Sequence, residues 1–335
     1  MMSYVPHIVH FHRRPYPGHY SIEMLFATLR TALVESGTPI DAKLVPCFSK
    51  GLFPRLANIR WARKHQGDIN HITGDVCYIA LGMVKQKTIL TIHDCFALVR
   101  LKGYKRFILK TFWFDLPIQH ASWVTVVSDA TATELTQLVP AAKGKTIVIP
   151  NAISPAFQPS RQAFNSSCPR ILHIGTAINK NLSRLFQAIE GMKCHLRIIG
   201  RLEKSHLEEL RHRGIEYSNA YDLSEAQIVG EYHACDLVSF CSTKEGFGMP
   251  IVEAQWIERP VITSNLSAMP EVAGNGACLI DPFDFTSIRA GLDRMVSDSD
   301  YRRHLVEQGK LNRNRFSIRA VTDQYQSLYQ RVLES

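Results

Sequence analysis

The sequence predicts two doubly wound α/β domains, and three observations carry that prediction. Short apolar runs alternate with helix-length stretches at the spacing of strand–helix–strand units, which place parallel strands in one sheet with helices on both faces. The alternation occurs twice, and between the two series lies the proline- and serine-rich stretch Asn151–Arg170, which has little periodicity and reads as a linker. The 335 residues, 45% hydrophobic and 21% charged, suffice for two such cores.

In chain order, the first series has strand candidates at His7–His10, Ala42–Pro46, Ile69–Thr73, Thr88–His93, Trp123–Ser128 and Thr146–Pro150. Its helices are expected at Ile22–Glu35, from Pro54 to Lys64, across Lys105–Phe114 and at Ala130–Leu138. The second series runs strand Ile171–Gly175, helix Asn181–Glu190, strand His195–Gly200, helix Ser205–His212 and helix Ser224–Ala234. Strand Leu237–Cys241, helix Pro250–Ile257 and strands Val261–Ser264 and Ala277–Ile280 follow. From Phe285 the chain reads as helical, ending in the amphipathic segment Ile318–Leu333. The expected domains are 1–155 and 165–315, with 316–335 as a terminal helix packing back on the first. Two such domains facing a central cleft would present the carboxyl ends of both sheets to a ligand.

Composition excludes several classes. No run of about 18 apolar residues could span a bilayer. The opening MMSYVPHIVHFHRRPYPG lacks the ordered regions of a signal peptide. The eight cysteines are scattered without a C-x-x-C pair, which reads as reduced, mostly buried thiols and a cytoplasmic protein. The net charge of +9 is uneven: residues 1–160 carry 18 Lys+Arg against 9 Asp+Glu, while the rest carries 21 of each. Two readings stay open, an anionic partner for the first half or simple solubility.

The most specific stretch is Ser242–Glu253, STKEGFGMPIVE. A strand ends there, Gly246 and Gly248 form a turn, and Pro250 suits the first turn of a helix because its missing N–H would have no partner. Glycines let backbone approach a ligand closely, and a helix N-terminus offers unpaired N–H groups and the positive end of a dipole. Glu245 lies in the turn and Glu253 about one helical turn inside, so the two carboxylates can meet one ligand at two points.

At these residues the sequence resembles family-4 retaining glycosyltransferases of the two-domain, Rossmann-like GT-B fold. Their pattern E-G-x-G-x-P-x-x-E is complete from Glu245 to Glu253. The resemblance implies that Glu253 binds the ribose of a nucleotide diphosphate donor. It also implies that Glu245 contacts the transferred sugar, assisted by backbone N–H groups around Gly246, Phe247 and Gly248. Pro270–Gly274, PEVAG, matches the segment that closes the donor pocket, and ILHIGTAINKN (171–181) resembles the first donor-domain strand with its phosphate loop. Gly175 and Thr176 would line that loop, and Lys180 would neutralise the departing diphosphate without a metal or other cofactor. Many relatives place an arginine where this chain has Thr176 or Asn179, and Arg201 is a candidate replacement. In the first half, His93 of the His-Asp pair would reach the transferred sugar. Gly18 would let backbone approach donor or acceptor, and Ser128 reads as a helix cap.

The implied activity is retaining, metal-independent transfer of a hexose-type sugar from a nucleotide diphosphate donor to a saccharide acceptor, of the kind used in O-antigen or lipopolysaccharide assembly. Arg100–Phe114 interleaves five basic residues with bulky apolar ones, which suits either an interfacial helix on anionic lipid or a domain helix with a basic outer face. On the first reading the acceptor is lipid-linked and the protein sits at the inner face of the membrane. Rivals are another enzyme on this scaffold, a sugar-nucleotide epimerase or phosphorylase, and more distantly a nucleic-acid-binding protein. No pyridoxal-lysine motif supports a phosphorylase, and no helix-turn-helix, RNP or zinc-finger pattern accompanies the basic charge. Asp298-Ser299-Asp300 spells D-x-D but lies in the helical tail and reads as solvated surface. His10 and His12 share one face of the first strand and read as a strand end, not a metal site.

Overall fold

A computed structural model describes residues 6–15 and 21–334. The chain divides into two compact units, residues 1–152 with 318–335, and residues 153–317. The predicted α/β class holds in each.

The first unit contains β1 (Ile8–His12), α1 (Ser21–Glu35), β2 (Ile40–Leu44), α2 (Leu52–Lys64), β3 (Ile69–Ile72) and β4 (Thr88–Ile92). It continues with α3 (Phe96–Arg100), α4 (Gly103–Leu109), α5 (Leu116–Gln119), β5 (Trp123–Val126), α6 (Asp129–Leu138) and β6 (Thr146–Val148). Its six strands are all parallel, in the order β2-β1-β3-β4-β5-β6. Successive residues of β1 serve opposite cores: Val9 and Phe11 pack with Leu90, Val124 and Val126, whereas Ile8 packs with Phe26 and Leu33. The terminal helix, Ile318–Leu333, belongs to that second core through Val321, Tyr325, Leu328 and Tyr329.

One expected helix is broken. Lys105–Phe114 is not continuous α-helix, because α4 gives way to a π-helical turn, Lys110–Asp115, before α5. The wider turn matches the pairing of Lys110 Nζ with both carboxylate oxygens of Asp115, five positions on, at 2.7 and 2.8 Å.

The second unit holds β7 (Arg170–Ile174), α7 (Leu182–Ile189), β8 (His195–Ile199), α8 (Lys204–His212), β9 (Tyr217–Ala220) and α9 (Glu225–Ala234). Then come β10 (Leu237–Phe240), α10 (Met249–Ile257), β11 (Val261–Ser264), α11 (Met269–Ala273), β12 (Cys278–Ile280), α12 (Phe285–Ser297) and α13 (Ser299–Arg313). The terminal helix of the first unit is α14. The sheet order, β12-β11-β10-β7-β8-β9, is all parallel and reverses direction between β7 and β10. A doubly wound sheet binds ligands outside the carboxyl ends of its strands at such a reversal. β9 and α11 were not expected: β9 is a half-buried edge strand of mixed polarity, and α11 is barely more than one turn.

Candidate active site

The reversal point brings together the loops after β7 and β10. Gly175 takes φ 95°, and a Cβ there would lie 2.8 Å from Lys180 Cε, so the glycine both turns the chain and leaves room for the lysine stem. A 3-10 turn, Ile178–Lys180, then delivers the lysine. Its Nζ donates to Glu245 Oε1 at 2.6 Å and lies 4.7 Å from the centroid of the Phe240 ring. Asn179 Nδ2 donates to the same carboxylate oxygen at 3.1 Å and to the Lys244 carbonyl at 3.0 Å. The Thr243 amide donates to the Asn179 carbonyl at 2.8 Å, which ties the two loops together. Asn179, read in the sequence only as a missing arginine, thus supplies a neutral second donor to Glu245.

The other glutamate-turn residues follow from β10. Gly246 is half-buried in the turn, and Phe247 is buried with its ring edge-on to Phe316 at 5.5 Å, so this phenylalanine can offer a ligand only its backbone. Gly248 caps α10 at φ 116°, and Pro250 occupies the first turn as expected. Ser267 Oγ donates to the Glu245 carbonyl at 2.6 Å.

Glu253 projects from α10 and accepts a hydrogen bond at Oε2 from the Tyr232 hydroxyl of α9. Burial pushes the Glu253 carboxyl up to about 7, against the lowering effect of Tyr232 and, more weakly, of Lys180. Tyr232 itself is fully buried and held well above the usual phenol range, first by burial and then by Glu253. No motif marks Tyr232; its position about two turns into α9, a helix of mixed apolar and polar residues, carries no signal. Nearby on β7, burial and then the charge of Lys180 hold His173 at about 3, so it is neutral.

The remaining donor-side residues lie on neighbouring strand ends. Thr176 packs against Gly200, where a Cβ would come 2.8 Å from its methyl group. Arg201 is largely exposed, ion-paired to Asp222 and 4.6 Å from the centroid of the Tyr221 ring, so its guanidinium is engaged on its own side of the loop.

In the first unit, His93 follows β4. Its Nε2 lies 2.9 Å from the Thr73 carbonyl, which can only accept, so Nε2 carries the proton and Nδ1 keeps its lone pair. Burial lowers its pKa, opposed by the carboxylates of Asp75 and Asp94. Asp94 accepts from the Phe96 amide at 2.8 Å and so orients the start of α3. Ser128 caps α6, accepting from the Thr131 amide at 3.0 Å. Gly18 lies outside the described residues. Asp298 caps α13 by accepting from the Tyr301 amide at 2.8 Å, and Asp300 pairs with Arg303. His10 and His12 stand at the end of β1, as expected, and are buried there: His10 Nε2 meets the Tyr329 hydroxyl at 2.8 Å and His12 Nδ1 meets Thr73 Oγ1 at 2.8 Å. Among the described residues no three His, Cys, Asp or Glu side chains gather as a metal site requires.

The chain matches the family described as Glycosyltransferase Family 4 over residues 7–157 and that described as Glycosyl transferases group 1 over residues 157–312. The chain belongs to the family-4 glycosyltransferases. Within that family it is 22% identical over 268 residues to the serotype-specific mannosyltransferase WbdA of Escherichia coli, covering 70% of this chain and 32% of that protein. It is 33% identical over 98 residues to the O-antigen chain mannosyltransferase B of Escherichia coli, 29% of this chain and 26% of that protein. The chain therefore spans about a third or less of either relative. Anabaena HepE, solved in complex with UDP and glucose, superposes with a TM-score of 0.78 at 17% identity, over 97% of this chain and 99% of that one. At that identity the likeness shows the fold, GT-B.

Proposed function

We propose that this family-4 chain transfers a hexose-type sugar, with retention and without a metal ion, from a nucleotide diphosphate donor to a saccharide acceptor. The observation that carries the proposal is the Lys180–Glu245–Asn179 cluster at the reversal of the second sheet, with Glu253 one turn into the helix that follows. The relatives support it: two are mannosyltransferases, and HepE holds UDP and glucose.

In this reading Glu253 accepts from the ribose hydroxyls through the oxygen that Tyr232 leaves free. The backbone N–H groups of Gly246, Phe247 and Gly248, at the start of α10, face the transferred sugar and phosphate, with Gly175, Thr176 and Arg201 on the adjoining loops. His93 offers its unprotonated Nδ1 to a sugar hydroxyl, and Gly18 lets backbone approach donor or acceptor. As the bond between the anomeric carbon and the phosphate oxygen breaks, negative charge grows on the leaving diphosphate. Lys180, already beside Glu245, stabilises that charge in the role a divalent ion plays elsewhere. The leaving phosphate takes the proton of the acceptor hydroxyl, whose oxygen bonds to the same face of the anomeric carbon. The protein contributes position and charge and forms no covalent intermediate.

The acceptor in this reading is lipid-linked, as in O-antigen or lipopolysaccharide assembly, and Arg100–Phe114 brings the enzyme to the cytoplasmic face of the membrane. No helix among the described residues is long and apolar enough to cross one. Thermal stabilisation by a panel of nucleoside diphosphates tests the donor site. A ligand at about 100 times its Kd adds roughly 2.7 kcal/mol. A shift with one base, abolished by Glu253→Ala, is expected; no shift with any nucleotide overturns the proposal.

A further inference from the structure

We infer that the first unit binds an anionic lipid bilayer through a composite surface built from two separate segments, residues 47–64 and 96–114. The contact expected from the sequence involves only the second. Each segment carries five Lys or Arg and no Asp or Glu, so more than half of the basic residues before position 160 lie in these two stretches. Their apolar side chains are turned to solvent to an unusual degree: Phe53 is 82% exposed, Leu52 66%, Tyr104 71% and Phe107 70%. Phe48, Leu56, Ile108 and Phe112 are also exposed.

The two segments adjoin. The Arg55 guanidinium, in the first turns of α2, lies 4.5 Å from the centroid of the Trp113 ring in the π-helical turn, and both its Nε and Nη2 donate to the Ser49 carbonyl. Trp113 in turn donates to the Asp75 carbonyl at 3.1 Å and packs against Tyr78, which fixes the seam on the body of the unit. Lys50, Arg60, Arg63 and Lys64 stand exposed on the first segment, as Arg100, Lys102 and Lys105 do on the second.

Basic charge beside large exposed apolar side chains fits the headgroup boundary of a bilayer, where lysine and arginine meet anionic lipid while Phe and Leu enter the acyl region. A nucleic-acid partner would use the charge but would leave Leu52, Leu56 and Ile108 in water. The purpose of the surface, bringing the enzyme to a lipid-linked acceptor, rests on the function proposed above; the binding itself does not.

The test is cosedimentation of the full chain with phosphatidylcholine vesicles made with and without phosphatidylglycerol. Binding only to the anionic vesicles, weakened by high salt, is expected. The Leu52→Ser/Phe53→Ser variant should partition roughly tenfold less, and Lys50→Glu, whose side chain is fully outside the core, should weaken binding without altering the melting temperature. Unchanged partition of both variants, or loss only on changing Tyr104 and Phe107, overturns the composite surface while leaving the single-segment contact. Binding of RNA in place of vesicles overturns it as well. Donor-induced thermal stabilisation, read separately, decides the proposed function whichever way the vesicles behave.

Discussion

Lys180 and Glu245 stand 65 positions apart and meet at 2.6 Å, each with only about a fifth or less of its side chain exposed. The pair joins the first strand of the second unit to its fourth, at the point where strand order reverses. In the proposed function the cation held there exchanges that carboxylate for the donor diphosphate. Replacing the lysine by methionine keeps an apolar stem of similar length and removes the charge, with its contact over Phe240. We expect Lys180→Met to lower kcat by about a hundredfold or more while the chain still folds; turnover within a few-fold of wild type would remove Lys180 from the mechanism.

Asn179 and Lys180 share Glu245 Oε1, but only one of them is charged. Asn179→Ala should therefore cost less, about tenfold in kcat/KM, the worth of one hydrogen bond to a charged group. Steady-state kinetics of the two variants beside the double variant gives the coupling. If the two residues act through the same carboxylate, their losses fall short of additive.

Gly175 tests the same geometry from the backbone. Its φ of 95° disfavours any side chain, and an added Cβ meets the Lys180 stem at 2.8 Å. Gly175→Ala is expected to cost about 1 kcal/mol or more in stability and to lower turnover by displacing Nζ. Thermal melting and activity should both fall; full activity would mean that the lysine reaches its place by another path.

If Glu253 holds the donor ribose as proposed, donor binding is sensitive to pH. Its carboxyl is raised to about 7 by burial, and a carboxylate accepts from ribose hydroxyls better than an acid does. Catalytic efficiency, kcat/KM for the donor, should thus fall as pH drops through about 7. Tyr232 opposes the upward shift, so Tyr232→Phe should move that acidic limb to higher pH. A profile unchanged by the substitution would separate Tyr232 from the ionisation of Glu253.

These relationships were unequally legible in the sequence. Eleven of the twelve strands could be read from apolar runs because both faces of each sheet are covered, so strands such as β3, β4 and β10 are buried throughout. The exception, Tyr217–Ala220, is an edge strand without an apolar run; the edge strands β2 and β6 also lack a fully buried residue, but their Ile, Ala, Leu and Val residues still form an apolar pattern. Lys180, Glu245 and Glu253 stood out through local motif and turn chemistry. Asn179 and Tyr232 did not, since each matters only through a partner 66 or 21 positions away. The burial of the β1 histidines was hidden for the same reason: the partner of His10 is Tyr329, 319 positions on.

That buried histidine network should make the first unit labile to acid. His10 and His71 both bond the Tyr329 hydroxyl, at 2.8 and 2.9 Å, and His71 continues to Thr91 and Thr125 at 2.7 Å each. Burial, and then the neighbouring imidazoles of His12 and His93, lower His71 to about 3, and burial with Arg30 lowers His12 to about 4, while Glu23 opposes the shift at His12. The unfolded chain binds protons near 6.5 and the folded unit does not. Their contribution is therefore present above about 6.5 and is lost as pH falls from there toward 4 and then 3, at about 1.4 kcal/mol per pH unit per histidine. Glu253 acts in the opposite sense in the other unit, because its raised carboxyl favours the folded state as pH falls through 7 toward its unfolded value. Urea midpoints of the Glu253→Gln variant between pH 8 and 5 isolate the histidine contribution. A steady fall below pH 6.5 is expected, and a flat midpoint would mean that protonated imidazoles are accommodated between the sheet and α14.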